Sequence, residues 1–438
     1  MNEELRMRED WVECTLDDLL VLMTNGSSAK QFKENIGLPI SRIETIWNET
    51  IDFERVKYIK ENDEDFIEKY KLKKNDILLS HINSDNHLGK TAIYKDETRT
   101  LIHGINLLKL RPSKQISADL LLHQFRFKKI KGDFIAVAQR AVNQSSINQR
   151  KLKVFDFILP PLVEQKAIVK KIEELFSSLD SGIADLKKAQ DQLKIYRQAV
   201  LKKAFEGDWK KVKLGKLITF GPTNGMYKPK SFYGSGTPIL RIDGFYDGKI
   251  NSWASLKKLE LEDSELETYS LQNDDIVVNR VNSMPYVGKS AIVKNLNGNC
   301  VFESNIMRLR VDDKIISPNF LVQFLISPNG YSELQKNVKH AVNQSSINQA
   351  DVKNAIIPIP TIKQQHQIVS DIESRLSVCD TVEKDIANSL EKAQVLRQSI
   401  LKKAFEGTLL SKEEIAKCKA HPDYEPASVL LEKIKNGE

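Results

Sequence analysis

Apolar and polar residues alternate with two different periods along this 438-residue chain. Short strand-like runs come first, WVECTLDDLLVLM, LPISRI, DILLS, KTAIY and LLKLR, set apart by Asn, Gly, Asp and Pro. That is the pattern of half-buried strands joined by turns. An apolar segment then runs into Pro160-Pro161, and beyond those prolines the period changes from two to about 3.5. Ile168, Ile172, Leu175, Leu179, Leu186, Ala189, Leu193, Tyr196 and Val200 step by fours and threes, with Gly182 interrupting beside Ile183. A coiled-coil helix is predicted there.

Both patterns then occur a second time. WKKVKLGKLITF, TPILRI, DIVVN, KSAIV and MRLRV repeat the strand-like runs, and a second seam follows Pro358-x-Pro360. It comprises Ile368, Ile372, Leu376, Cys379, Val382, Ile386, Leu390, Ala393, Leu396, Ile400 and Ala404, opened by a capping box from Thr361 to Gln364. Nine residues, AVNQSSINQ at 141–149, return unchanged at 341–349, and KKAFEG at 202–207 returns at 402–407. Trp11 pairs with Trp209 and Leu16 with Leu214 at an offset of 198, which drifts to 200 by the nonapeptide. A period near 200 residues is a duplicated domain, far beyond any solenoid repeat.

Each copy reads as an α+β globular unit. Leu120–Phe127 and Phe320–Ile326 are expected as helices on its sheet, and Ser145 or Ser146 as the cap of a short helix. The predicted divisions are a first domain at 1–160, a spacer helix at 161–207, a second domain at 208–360, a second spacer helix at 361–407, and a helical tail at 408–438. Each long helix of about 43 residues measures roughly 64 Å at 1.5 Å per residue. If the two pair they run antiparallel, so the expected architecture is two related heads separated by a long antiparallel two-helix coiled coil with pseudo-two-fold symmetry. The tail carries a capping box, Ser411 to Glu414, and a helix started by Pro426 with Val429, Leu430, Leu431 and Ile434 as its apolar face. It is expected either on the helical bar or on a partner subunit.

Hydrophobic content of 41% and charged content of 29% fit a globular chain with solvent-facing helices. The formal charge of +7, with pI near 8.9, leans toward a polyanionic partner. Cys14, Cys300, Cys379 and Cys418 have no paired spacing, so neither a disulfide framework nor a zinc ribbon is indicated. The N-terminus lacks a signal-peptide core and no run of 18 apolar residues occurs, so a cytoplasmic protein without a membrane partner is expected.

Catalytic motifs are not visible. Gly89-Lys90-Thr91 and Gly288-Lys289-Ser290 resemble the end of a phosphate loop, but Ser84 and Ser283 stand where its first glycine belongs and a strand-like segment follows the lysine. Both read as strand-to-strand turns. His81, His87 and His103 with Asp85 suggest a metal cluster, yet Arg280, Tyr286 and Met284 replace members of that set in the second unit. No metal is expected in the shared architecture. Acidic stretches at 61–65 and 260–267 read as solvated surface, and no tetrapeptide of the amino-methyltransferase type is present.

Two related heads at a fixed separation form a ruler, and duplex DNA is a ligand for which spacing matters, with half-sites about 34–36 Å apart for one helical turn. Framework residues match between the copies while loops diverge, as in SSAKQFKEN against MYKPKSFYGS and HINSDNHLG against RVNSMPYVG. Different loops imply different half-sequences, hence an asymmetric, interrupted target.

The chain resembles the specificity subunits of type I restriction-modification systems. The residues that carry the resemblance are the early TNG followed by P-I-x-R-I, the central D-I and GK(T/S)AI, AVNQSSINQ leading to the prolines, the E-Q or Q-Q start of each long helix and LKKAFEG at its end. The resemblance implies a non-catalytic subunit with two target-recognition domains, carrying two modification subunits and, as an optional addition, restriction subunits. It further implies that S-adenosylmethionine belongs to the modification subunit, ATP and magnesium to the restriction subunit, and no cofactor to this chain. By side-chain chemistry the candidate DNA-binding residues are Lys30, Lys33, His81, Asn83 and Ser84 in the first head, and Tyr227, Lys228, Lys230, Arg280, Asn282 and Ser283 in the second. Gln144 and Ser145, with Gln344 and Ser345, are candidates shared by both heads, or a scaffold joining head to bar. The alternative is a two-headed protein-binding adaptor spaced by a coiled coil.

Overall fold

A computed structural model describes residues 8–141, 144–341 and 344–437, so Val142, Asn143, Val342 and Asn343 of the repeated nonapeptides lie outside the described residues. The chain divides into two compact units, one running to Asp185 and resuming at Ser389, the other Leu186–Asn388. The division falls within the long helices, not at their ends.

In the first unit a four-stranded antiparallel sheet has the order Leu20–Asn25, Leu107–Pro112, Ile77–Ser80, Thr91–Ile93. The helix Ala118–Lys131 covers it, capped by the Ser117 hydroxyl and ended by Gly132 in a left-handed conformation. Leu121, Leu122 and Phe125 from this helix share one core with Ile77, Leu79, Leu108 and Leu110. The second unit repeats the sheet as Ile218–Asn224, Ile306–Val311, Ile276–Asn279 and Ser290–Ile292, then extends it with the hairpin strands Gly248–Ile250 and Phe245–Tyr246. Its covering helix is Pro318–Ile326. The predicted strand-to-strand turns stand before Thr91 and Ser290, where Gly89 and Gly288 have positive φ.

Within the nonapeptides Gln144–Ser146 and Gln344–Ser346 are strands, and their serines do not form the predicted cap. Gln144–Ser146 pairs with Gln139–Ala141 and Ile82–Asn83, and Gln344–Ser346 pairs with Lys339–Ala341 and Val281–Asn282. The backbones of Ser145 and Ser146 are committed to that ladder. Asn148 caps the short helix Gln149–Lys153 instead, and Asn348 caps Gln349–Asn354.

The long helices span Leu162–Ala204 and Ile362–Phe405, and the Thr361 to Gln364 capping box forms with reciprocal bonds of 3.0 and 3.4 Å. Gln165 and Gln365, fully buried, fix each helix start to its own head. Each amide oxygen accepts from a backbone N–H, Ser117 or Ser317, at 2.8 Å, while the amide nitrogen donates to Pro160 or Pro360. In the first unit Ile168, Val169, Ile172 and Phe176 pack with Ile400, Leu401, Ala404 and Phe405. In the second, Leu201 and Phe205 share a core with Val369 and Ile372, so the pairing within each unit is antiparallel. Burial along the second helix follows the seven-residue steps Ile372, Cys379 and Ile386. Val382 and Leu396, expected in that seam, are 40% and 50% exposed because they stand off that line, and Tyr196, expected in the first seam, is 48% exposed.

The tail lies partly on the helical bar, as expected, with Leu410 in one core with Ile168, Ile172 and Ile400 and with Ile415 packed against it, and partly on the first head. Its helix Ala427–Lys435 packs on the first head, with Ala427 and Leu430 in one core with Cys14, Leu16 and Leu19. The preceding helix Lys412–Lys419 is held by the predicted Ser411 to Glu414 box and by a 3.0 Å ion pair between Glu414 and Lys171. Among the described residues no helix is long and apolar enough to cross a membrane.

Candidate nucleic-acid interface

In the first head four segments converge on a cleft of about 370 Å³ lined by Gln31, Arg42, Glu44, Asn83, His87 and Asn106, among others. Gly104 makes the convergence possible: a β-carbon there would stand 2.0 Å from the Ser41 carbonyl oxygen. Asn83 is held in place, donating to the Ser80 hydroxyl at 3.1 Å and accepting from the Ser84 N–H at 2.9 Å. Lys30 and Lys33 are exposed beside Gln31, and Ser84 is exposed before His87. Trp47, at the tip of the hairpin Ile46–Ile51, is 46% exposed under the Arg55 guanidinium at 3.7 Å from the ring centre.

The second head keeps the framework and changes the surface. Glu303 stands where the first head has Gly104, accepting from the Ile242 N–H at 2.7 Å and from Arg241 at 3.3 Å. Asn282 repeats the role of Asn83 by accepting from the Ser283 N–H at 2.8 Å. The Lys289 ammonium lies 3.7 Å from the Tyr246 ring centre and 4.2 Å from that of Tyr286, and both rings are exposed. Burial lowers the Lys289 pKa, with Asp247 opposing it. Tyr227, 79% exposed, and Lys230, also exposed, belong to the segment that follows the strand Ile218–Asn224.

Several candidates are interior. His81 is 7% exposed, and burial pushes its pKa down to about 4. Its carbonyl accepts from the Ile147 N–H at 2.9 Å, a bond that Arg280 and Ile347 repeat. His81 therefore anchors the nonapeptide strand and presents no side chain to a ligand. Ser145 and Ser345 are 4% and 5% exposed, bonded to Asp85 and to His340 respectively, and serve the scaffold. Gln144 and Gln344 in the same strands are exposed. Lys228 is engaged with Glu265 at 2.6 Å and with the Phe232 ring. Arg280 is half-buried and donates to the Ser304 carbonyl at 3.2 Å. Arg42, His87, Trp47, Tyr246, Tyr286 and Lys289, which the structure adds to these surfaces, are not among the DNA-binding candidates chosen by side-chain chemistry. The glycine-lysine turn drew attention to Lys289, but its two tyrosines lie 43 and 3 residues away, so only the fold brings them together.

The family model described as the type I restriction modification DNA specificity domain matches residues 8–188 and again 206–392. The chain belongs to the type I restriction modification DNA specificity family. Within it, the chain is 35% identical to a Methanocaldococcus jannaschii protein named as a candidate MjaX specificity subunit, over 84% of this chain and 87% of that one. It is 28% identical to the StySPI specificity subunit of Salmonella potsdam, over 98% and 96% of the two chains. A chain from a solved type I R-M system aligns with a TM-score of 0.72 at 19% identity, over 92% of this chain and all of that chain. In this specificity family the duplicated match coincides with the two copies of the strand framework described above.

Proposed function

We propose that this chain is the DNA-reading specificity subunit of a type I restriction-modification complex, non-catalytic itself, whose two heads each read one part of an asymmetric, interrupted target. The observation that carries the asymmetry is the replacement of Gly104 by Glu303 within one framework: a cleft in the first head, and at the equivalent place in the second a carboxylate that accepts from the Ile242 N–H and from Arg241. Arg42, Asn83 and Gln31 offer hydrogen bonds to base edges, and Trp47, Tyr246 and Tyr286 offer flat faces. Lys30, Lys33 and Lys230 are suited to phosphates, which position the protein without specifying sequence. Gln144 and Gln344, identical in both heads, fit a contact common to both half-sites.

The modification partners dock on the long helices in this reading. Each unit leaves an apolar pair exposed at duplicated positions, Ile195 and Tyr196 in one, Val395 and Leu396 in the other, and the duplication supports two modification subunits. S-adenosylmethionine would be held by the modification subunit, and ATP and magnesium by a restriction subunit. The test is to map methyladenine in host DNA with and without this chain. Loss of one interrupted, asymmetric motif on deletion is the expected result; an unchanged map in a host whose complex is expressed overturns the reading.

A further inference from the structure

Two segments that line the cleft of the first head run on into a second cavity beside it. Arg42 and Glu44 line the cleft while Ile46 and Glu49 line the cavity, and Asn83 and His87 line the cleft while Gly89, Lys90 and Thr91 line the cavity. The helix Ala118–Lys131 completes the cavity, of about 360 Å³, with Arg126 and Lys129. Gly89 allows the turn to pack: it has positive φ, and a β-carbon there would stand 2.5 Å from the buried Phe134 ring. The cavity therefore adjoins the candidate reading surface through two continuous stretches of chain.

The charges around it do not cancel. Glu49 is the carboxylate of the lining, and Arg126 engages it, with Nε 3.1 Å from the carboxylate and Nη2 donating to the Glu49 carbonyl at 3.1 Å. Lys90 and Lys129 are half-buried, and among the described residues neither ammonium forms an ion pair or a hydrogen bond. Burial and the Lys90 charge lower the Lys129 pKa, with Glu49 opposing. On the cleft side the pKa of His87 is lowered by burial, then by Lys90 and Lys129, so the positive charge of the cavity is felt at the cleft. Two like charges held together in a half-buried place cost stability unless an anion meets them. The second unit does not repeat the arrangement. Its covering helix stops at Ile326, before the place that answers to Lys129, where Asn329 stands, and Lys289, the counterpart of Lys90, lies against Tyr246 and Tyr286.

A lysine ammonium is a compact point charge that suits a phosphate and carries no base preference. We propose that Lys90 and Lys129 together grip one backbone phosphate of the duplex, immediately beside the bases read in the first cleft. This rests on the DNA-reading function proposed above. The clamp fixes the register of the first head on its half-site, and it belongs to that head alone, because the second replaces one lysine and engages the other with aromatic rings.

The test uses the full chain assembled with its modification subunits. In the wild type, target duplex should shield both lysines from acetylation. Replacing single phosphates of the target by neutral methylphosphonates should reveal one position beside the first half-site at which binding weakens about tenfold, as for loss of a hydrogen bond to a charged group. In the double variant Lys90→Gln with Lys129→Gln that position should no longer matter, while the other positions act as in the wild type. The slope of log Kd against log salt should fall by about 0.9, one phosphate no longer neutralised. Preference for the target over a scrambled first half-site should persist, and the Lys→Arg pair should behave as the wild type. Acetylation at the same rate with and without target duplex, or a methylphosphonate scan identical in wild type and double variant, overturns the proposal. Inorganic phosphate that shields both lysines where target duplex does not would assign the cavity to a small anion and overturns it as well. Wild-type protein that fails to prefer its target over scrambled DNA would instead overturn the DNA-reading function, which is a separable result.

Discussion

Arg111 meets the buried carboxylate of Asp76 with two hydrogen bonds of 2.7 Å, and Arg310 engages Asp275 in the same way in the second unit. Asp76 has no exposed side-chain surface, and its second role is to accept from the Lys73 N–H at 2.8 Å, closing the turn before the central strand. The bond to Asp76 raises the Arg111 pKa above its usual value. Removing one member of a buried pair leaves a charge without compensation, which costs more than the pair contributes. Arg111→Ala should therefore cost about 3 kcal/mol, the low end for breaking a buried pair, because the arginine is itself partly exposed. Amide exchange in Ile77–Ser80 should speed up by about a hundredfold while Ile276–Asn279 is unaffected. Equal protection in wild type and variant would show that the pair is dispensable.

Acid should weaken the first unit before the second. Burial lowers the pKa of His81 to about 4 and those of His103 and His123 to about 3. All three are depressed below the unfolded value of about 6.5, so between these limits the unfolded chain binds more protons than the native one. Stability then rises with pH through that window and levels off above about 7. Each histidine should cost about 2 kcal/mol at pH 5 relative to pH 7. The second unit has Arg280, Phe302 and Gln323 at the equivalent places, so none of these three contributions is repeated there. Denaturant midpoints at pH 5 and pH 7 check it, and His123→Gln should remove about a third of the difference; an unaltered difference would show that His123 is already protonated or solvated when folded.

Removal of the terminal helix should open the first head at one detectable atom. The Cys14 thiol is buried and its pKa is pushed up to about 12, chiefly by burial, so it resists alkylation. Ala427 and Leu430 share its core. Cutting the chain before Pro426, or replacing Leu430 with Ala at a cost of about 2 to 4 kcal/mol, should accelerate Cys14 labelling. Cys300, buried in the second unit with its pKa also pushed up to about 12, serves as the internal reference. Labelling of both cysteines at wild-type rates would mean that the helix covers nothing essential.

What the sequence disclosed follows from the range of the forces involved. Seven-residue spacing and the Thr361 to Gln364 box are local, so the long helices and their ends were legible, and the letter-for-letter repeat revealed the shared framework. The exposure of Tyr196, Val382 and Leu396 depends on which of two apolar stripes meets the neighbouring helix, a tertiary choice that spacing does not record. The tail was ambiguous for the same reason: its apolar face is visible in the sequence, but the acidic edge at Asp17 and Asp18 that receives it lies some 400 residues earlier. Among the site candidates, polarity alone suggested His81 and Ser145, which the sheet buries, and overlooked Trp47, whose exposure comes from a hairpin with Asn48 and Glu49 at positive φ.

The two heads should respond separately to changes at their distinct surfaces. Lys289 sits between two tyrosine rings in the second head only, and cation–π contacts at partly desolvated sites contribute about 0.5 to 2 kcal/mol. Lys289→Ala frees both rings and removes a charge, and is expected to weaken target binding about tenfold at the second half-site. Arg280→Ala should also act on that half-site alone, through the Ser304 carbonyl it now holds, and Gly104→Ala should act on the first, because the added methyl collides with the Ser41 carbonyl and forces the converging segments apart. Competition with duplexes altered in one half-site at a time separates these effects: each variant should lose discrimination on its own side and keep it on the other. A variant that loses both sides equally has lost its fold, and one that loses the opposite side would reverse the assignment of heads to half-sites.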